Sequence, residues 1–295
     1  MSDPRLNYVP CPHTGGSHKM AYWEWGAPDA AHTIVCAHGL SRQGRDFDVL
    51  AQALVARAKE PLRVVCPDVA GRGRSDWLAD PLGYQLPNYT MDMLALLSQL
   101  KPTTLDWVGT SMGGLIGMAV TAHAAAAGVS VRRLVLNDVG PVVQWESITR
   151  IATYLGKAMT FDSLQQAADA MWLISTSFGP HTPAQWLELS RHMVKPAADG
   201  KVSLHYDPAI AVPVRGMTQE LAAQGEIQLW QLYDSLTADT LLLRGADSDL
   251  LSVATAQAMT TRGPKARLVE FAGVGHAPTL IAQDQVETVV SFLLE

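Results

Sequence analysis

The chain has no run of lysines and arginines. It holds 22 Lys and Arg against 28 Asp and Glu, a formal charge of −6. A nucleic-acid or anionic-membrane surface needs clustered basic side chains, so neither partner is expected. Long apolar runs are missing too: no stretch approaches the ~18 residues that cross a bilayer. The opening residues, Met1-Ser2-Asp3-Pro4-Arg5-Leu6, lack an apolar h-region, so no secretory signal is expected. Cysteine is scarce. Cys11, Cys36 and Cys66 cannot all pair, and Cys36 and Cys66 sit in strand-like runs, as small buried hydrophobes of a reducing compartment do. A cytoplasmic location is the resulting expectation. Repeats and low-complexity tracts are absent, and the alanines at 124–127 read as a helix surface. No His/Cys/Asp cluster has metal-ligand spacing, and the glycines near Gly71 lack the Lys-Ser or Lys-Thr of a phosphate cradle. Neither metal nor cofactor is expected.

What is present is enough apolar material for one large core with a smaller unit attached, at 295 residues and 48% hydrophobic. Strand patterns at 19–25 and 33–37 read as neighbours, followed by a helix over 47–59 and a β-branched strand at 63–66. A helix near 88–100, a strand at 105–108 and a further helix lead to a strand at 131–137. Strands at 240–244 and 266–271 alternate with helices over 252–262 and 284–294 near the end. This alternation predicts an α/β fold with a mostly parallel, doubly wound sheet whose site lies beyond the carboxyl ends of the strands.

The rhythm stops between Pro141 and about Leu236, where apolar residues recur at helical spacing. Thr182-Pro183-Ala184-Gln185 carries a helix-start signature. An insert this long exceeds a connecting loop. The expected organisation is a core of residues 1–141 and 237–295, with a helical cap over 142–236. Trp145, Trp172, Trp186 and Trp230 fall in the insert and read as its own core rather than as a pocket lining.

Gly109-Thr110-Ser111-Met112-Gly113 is a G-x-S-x-G between a predicted strand and a predicted helix. A sharp strand-to-helix turn pushes the serine hydroxyl out above the sheet, and glycines are needed where a Cβ would clash. Ser111 is therefore a candidate nucleophile. With Ala37-His38-Gly39-Leu40, with Asp68-Val69-Ala70-Gly71-Arg72-Gly73-Arg74-Ser75, and with Gly273-Val274-Gly275-His276 before the last helix, the chain resembles the α/β-hydrolase family over its whole length. The resemblance implies the α/β-hydrolase fold, a cap inserted after the sixth core strand, and a Ser–acid–His order of catalytic groups.

A serine hydroxyl needs a base, and His276 occupies the late strand-to-helix loop that suits one. His38 fits better as a brace of the loop before it, and His123 lies on the nucleophile helix. The oxyanion donors expected are the backbone N–H groups of Leu40 and Met112. Gly71, Gly73 and Ser75 read as turn-forming. Arg42 either binds a substrate carboxylate or, the preferred reading, pairs with Asp46. The acid departs from the family's usual G-x-x-D: Gly245 is followed by Ala246-Asp247-Ser248-Asp249, with serine at the expected place. Counting back from the next helix favours Asp249 over Asp247. Asp138, read mainly as a loop-fixing carboxylate, is the remaining alternative.

Serine at 111 disfavours the aspartate and cysteine branches of the family. The expected activity is that of a carboxylesterase-like serine hydrolase, cleaving an ester, thioester or lactone of a small or medium molecule through an acyl-serine. Carbon–carbon hydrolysis of ring-fission type is the alternative, with a slowly turning-over ligand sensor behind it. The expected partner is a small-molecule substrate, and a homo-oligomer is compatible with the sequence.

Overall fold

The computed structural model describes residues 3–13, 16–123 and 128–295; the alanine run 124–127 lies outside them. Six strands come first: β1 (Arg5–His13), β2 (Gly16–Gly26), β3 (His32–Ala37), β4 (Leu62–Pro67), β5 (Thr104–Thr110) and β6 (Val131–Asn137). Helices α1 (Asp48–Arg57), α2 (Leu86–Leu100) and α3 (Met112–His123) join the later ones. The segment after β6 holds α4 (Trp145–Tyr154), β7 (Thr160–Phe161), α5 (Leu164–Trp172) and α6 (Pro183–Arg191). It continues through β8 (Val194–Pro196), β9 (Val202–Leu204), α7 (Ala211–Arg215) and α8 (Gln219–Asp234). The chain then returns with β10 (Asp239–Gly245), α9 (Val253–Met259), β11 (Arg267–Phe271) and α10 (Gln283–Leu294).

The main sheet runs β1-β2-β4-β3-β5-β6-β10-β11. Only the β1–β2 and β2–β4 pairs are antiparallel; the rest are parallel. Two details differ from the sequence expectation. β2 and β3 are not neighbours, because β4 lies between them, and β1 adds an antiparallel edge strand that its mixed Pro-Cys-Pro text concealed. Central strands are apolar on consecutive positions because helices cover both faces. Ile34 and Cys36 join α1 and α10 through Leu50, Leu54 and Val289, whereas Val35 joins α2 and α3 through Met93 and Ile116. Each such side chain contributes roughly 1.5–3 kcal/mol when fully buried.

The insert is not purely helical. β7, β9 and β8 make a small antiparallel sheet packed on α5. Thr182 and Gln185 form the capping box that opens α6. Trp186 donates from Nε1 to the Ala168 carbonyl at 2.8 Å and meets Trp172 edge-on at 4.9 Å, giving the insert a core of its own. Trp230 lies instead under the Arg262 guanidinium, 3.7 Å from the ring centroid. Among the described residues no helix is long and apolar enough to cross a membrane.

Candidate active site

Ser111 sits between β5 and α3 in the left-handed region, at φ +51°. That conformation is costly for a residue with a side chain and recurs at functional positions. The turn closes because its neighbours are glycines. A Cβ on Gly109 would run into the Gly113 carbonyl, and one on Gly113 into the Ala37 carbonyl of β3. Trp107, fully buried, seats its indole against Gly117 and donates to the Gly113 carbonyl at 3.1 Å, fixing the helix on the strand.

His276 lies in the loop after β11. Its Nε2 is 2.9 Å from Ser111 Oγ, and its Nδ1 is 2.7 Å from Asp138 Oδ2. A carboxylate accepts, so Nδ1 carries the proton and Nε2 is left to accept from the serine hydroxyl. Asp138 follows β6 at φ +55° and is wholly buried. Its Oδ1 accepts from the Gly245 N–H at 2.9 Å, and its Oδ2 also accepts from the Ser248 hydroxyl at 2.6 Å.

The acid expected from the sequence is therefore corrected. Asp249 does not reach His276: it is half exposed and pairs with Arg150 of α4 at 2.6 Å. Asp247 is exposed as well. The physical reason is strand adjacency. β6 and β10 are parallel neighbours with Asn137 in register with Leu243, so their carboxyl ends offer two adjoining loops to the same imidazole. The carboxylate comes from the β6 loop, and Ser248, at the place where an acid was expected, donates to it.

Met112 is the first residue of α3, so its N–H is among those without a partner inside the helix. Leu40 stands on the loop after β3, where Arg42 N–H bonds the Gly39 carbonyl at 3.1 Å. This loop is braced twice. His38 is fully buried, donates from Nδ1 to the Gly39 carbonyl at 2.7 Å and accepts at Nε2 from Val69 N–H at 2.9 Å. Arg72, also fully buried, donates to the Leu40 carbonyl at 2.8 Å and to Tyr89 Oη at 2.9 Å, and lies 3.6 Å from Met112 Sδ. Sequence reasoning treated the Arg72 motif as a turn and missed that its guanidinium spans Leu40 and Met112, the two residues expected to supply oxyanion donors. Asn137 was missed too; its Nδ2 donates to Thr110 Oγ1 at 3.0 Å and to the Pro278 carbonyl at 2.8 Å, tying elbow to histidine loop. Arg42 pairs with Asp46 at 2.6 and 2.8 Å and also reaches the Leu189 carbonyl of the insert. A small crevice lined by Gly39, Arg42, Thr110, Phe178, Leu189 and Thr279 opens beside these groups.

Burial holds His38 neutral, pushing its pKa down to about 3 from 6.5. The unfolded chain protonates near 6.5 while the folded chain does not. Stability from His38 is thus fully present above pH 6.5 and lost as pH falls toward 3, at ~1.4 kcal/mol per pH unit. Urea unfolding of wild type and His38→Asn at pH 6, 5 and 4 tests this. The destabilisation by the substitution should shrink by about that slope, and a pH-independent difference would contradict a neutral, buried His38.

Residues 34–291 match the family described as the alpha/beta hydrolase family, and the chain belongs to it. It is a hydrolase. The 3-hydroxybutyrate-oligomer hydrolase of Cupriavidus necator is 46% identical over 294 residues, covering 99% of this chain and 98% of that one. The crystal structure of an alpha/beta hydrolase from Novosphingobium aromaticivorans is 32% identical, with a TM-score of 0.84 and 99% of each chain covered. The thioesterase domain from the curacin biosynthetic pathway, at 21% identity and a TM-score of 0.75 over 99% and 100% of the two chains, shares the fold.

Proposed function

We propose that the chain is a serine ester hydrolase whose substrates are short oligoesters of 3-hydroxybutyrate or a close hydroxy acid. The observation that carries the serine mechanism is the chain of contacts Ser111 Oγ, His276 Nε2, His276 Nδ1 and Asp138 Oδ2, at 2.9 and 2.7 Å. Both distances suit a nucleophile with its base and a base with its orienting acid. The substrate class is supported by the relative from Cupriavidus necator, similar over nearly the full length of both chains.

In this mechanism Ser111 Oγ attacks the ester carbonyl while His276 Nε2 takes the hydroxyl proton. The Met112 and Leu40 N–H groups meet the charge developing on the carbonyl oxygen, a term worth ~2.7–4 kcal/mol per donor. Asp138 stabilises the imidazolium and keeps its ring turned to the serine. His276 then protonates the departing alkoxide oxygen of the next hydroxy-acid unit, which leaves as an alcohol while the acyl group stays on Ser111. Water, deprotonated by the same imidazole, releases the free acid and restores the hydroxyl. Segment 142–236 acts as the cap over this centre. Its Ser177 hydroxyl donates to the His276 carbonyl at 3.1 Å, and His181 Nε2 lies 2.9 Å from Thr279 Oγ1 in the same loop.

The test is product analysis with 3-hydroxybutyrate dimer and trimer beside p-nitrophenyl butyrate. Release of monomer from the oligomers, with kcat/KM at least tenfold above the generic ester, is expected. Turnover of the generic ester alone would retain the serine mechanism and remove the oligoester assignment.

A further inference from the structure

Two ligand-type side chains of one hairpin and a third from a helix 74 residues further on meet outside the proposed catalytic centre. Cys11 of β1 and His18 of β2 are register partners across the edge hairpin, and Asp92 of α2 packs beneath them. One donor atom from each, sulfur, ring nitrogen and carboxylate oxygen, lies within 4.8 Å of the other two. His18 Nε2 is 2.9 Å from Asp92 Oδ2. The three are buried, at 0%, 8% and 3% exposure for Cys11, His18 and Asp92. Among the described residues the carboxylate of Asp92 has no Lys or Arg in salt-bridge reach; the group beside it is the His18 ring. The other nitrogen of that ring, Nδ1, is buried without a hydrogen-bond partner. A buried carboxylate without a permanent countercharge is costly unless something cationic joins it.

We propose that Cys11, His18 and Asp92 bind a zinc-class divalent cation that staples the β1–β2 hairpin to α2. One thiolate, one imidazole and one carboxylate match the donor preferences of Zn2+, which accepts sulfur, nitrogen and oxygen in tetrahedral sites. Ligand distances of ~2.0–2.3 Å put ligand atoms up to ~4 Å apart, so side-chain shifts of about 1 Å close the present spread. Water completes the fourth position; the His13 ring, 5.7 Å from that of His18, is a second source. A cysteine thiol without metal is ordinarily protonated near neutral pH. Binding forms a metal–sulfur bond and breaks the S–H bond, releasing that proton to solvent. The dication is then offset by thiolate and carboxylate. A hairpin spacing of seven residues with a helical third ligand gave no recognisable metal pattern in the sequence.

Metal-stripped full-length protein is titrated with Co2+ and followed in the near ultraviolet and visible. One equivalent should bring in a sulfur-to-cobalt charge-transfer band with tetrahedral d–d bands, and Zn2+ should displace both. Calorimetry with Zn2+ in buffers of different ionisation enthalpy should give one site, a Kd of about 1 μM or tighter, and release of about one proton. At 100-fold excess over Kd the Tm should rise by about 5 °C. Cys11→Ser should abolish the charge-transfer band. If that variant does not fold, His18→Asn should weaken Zn2+ binding at least tenfold. Ester hydrolysis by wild type should be unchanged by the metal, which separates this site from the catalytic reading. Absence of the cobalt–sulfur band in wild type, or Zn2+ binding weaker than about 100 μM, overturns the proposal.

Discussion

Replacing Ser111 by alanine should leave less than a hundredth of the wild-type kcat on any ester while the protein stays folded. The substitution deletes one hydroxyl at the head of α3 and leaves the contacts that hold the elbow. Gly109 and Gly113 remain, as do the Trp107 anchor and the Ser111 N–H bond to the Asn137 carbonyl at 3.0 Å. A residual rate is expected, because the N–H groups of Leu40 and Met112 still meet the carbonyl oxygen; removal of a triad member in serine proteases leaves about 10³–10⁴-fold catalysis over water. The variant should also refuse labelling by an organophosphonate or sulfonyl fluoride, which in wild type should add at Ser111 alone. Circular dichroism and Tm guard against loss of fold. A kcat above a hundredth of wild type, or phosphonylation elsewhere with loss of activity, would displace Ser111 from the mechanism.

The elbow was legible because its physics is local. A strand, a turn that tolerates no Cβ at Gly109 or Gly113 and a helix occupy consecutive residues, so the pattern appears as Val108-Gly109-Thr110-Ser111-Met112-Gly113 without tertiary information. His276 was legible for the same reason, lying in a small-residue loop before the last helix. The neighbours of a strand are set by distant pairing, and so the insertion of β4 between β2 and β3 was hidden. The edge strand β1 was hidden by its composition: Pro10 and Pro12 cannot donate to a ladder, a restriction an edge tolerates. Arg72 reads as one more residue of a glycine-rich turn. Only the folded chain shows its guanidinium buried between Leu40 and Met112. Asn137 and the Cys11–His18–Asp92 group have no sequence signature either, because each acts across elements that pack only after the sheet is assembled.

The acid is the case where sequence counting and three-dimensional proximity gave different answers, and it supplies the second large effect. Asp138→Asn should lower kcat by about 10⁴, by analogy with the serine-protease aspartate, whose amide leaves geometry intact but favours the wrong imidazole tautomer. Asp249→Asn should stay within about tenfold of wild type, because it removes only a half-exposed pair with Arg150. The same comparison carries a rescue. Ser248 Oγ and His276 Nδ1 converge on one oxygen of Asp138, at 2.6 and 2.7 Å. Ser248→Asp in the Asp138→Asn background therefore puts a carboxylate on the β10 loop, beside the same ring, with an amide to donate to it. This double variant should recover at least tenfold of the lost kcat, and Ser248→Asp alone should gain nothing, since two carboxylates would then crowd one imidazole. Steady-state kinetics of the four proteins on one ester decides the matter. A large loss in Asp249→Asn with a mild effect in Asp138→Asn would return the acid to the position that sequence spacing favoured.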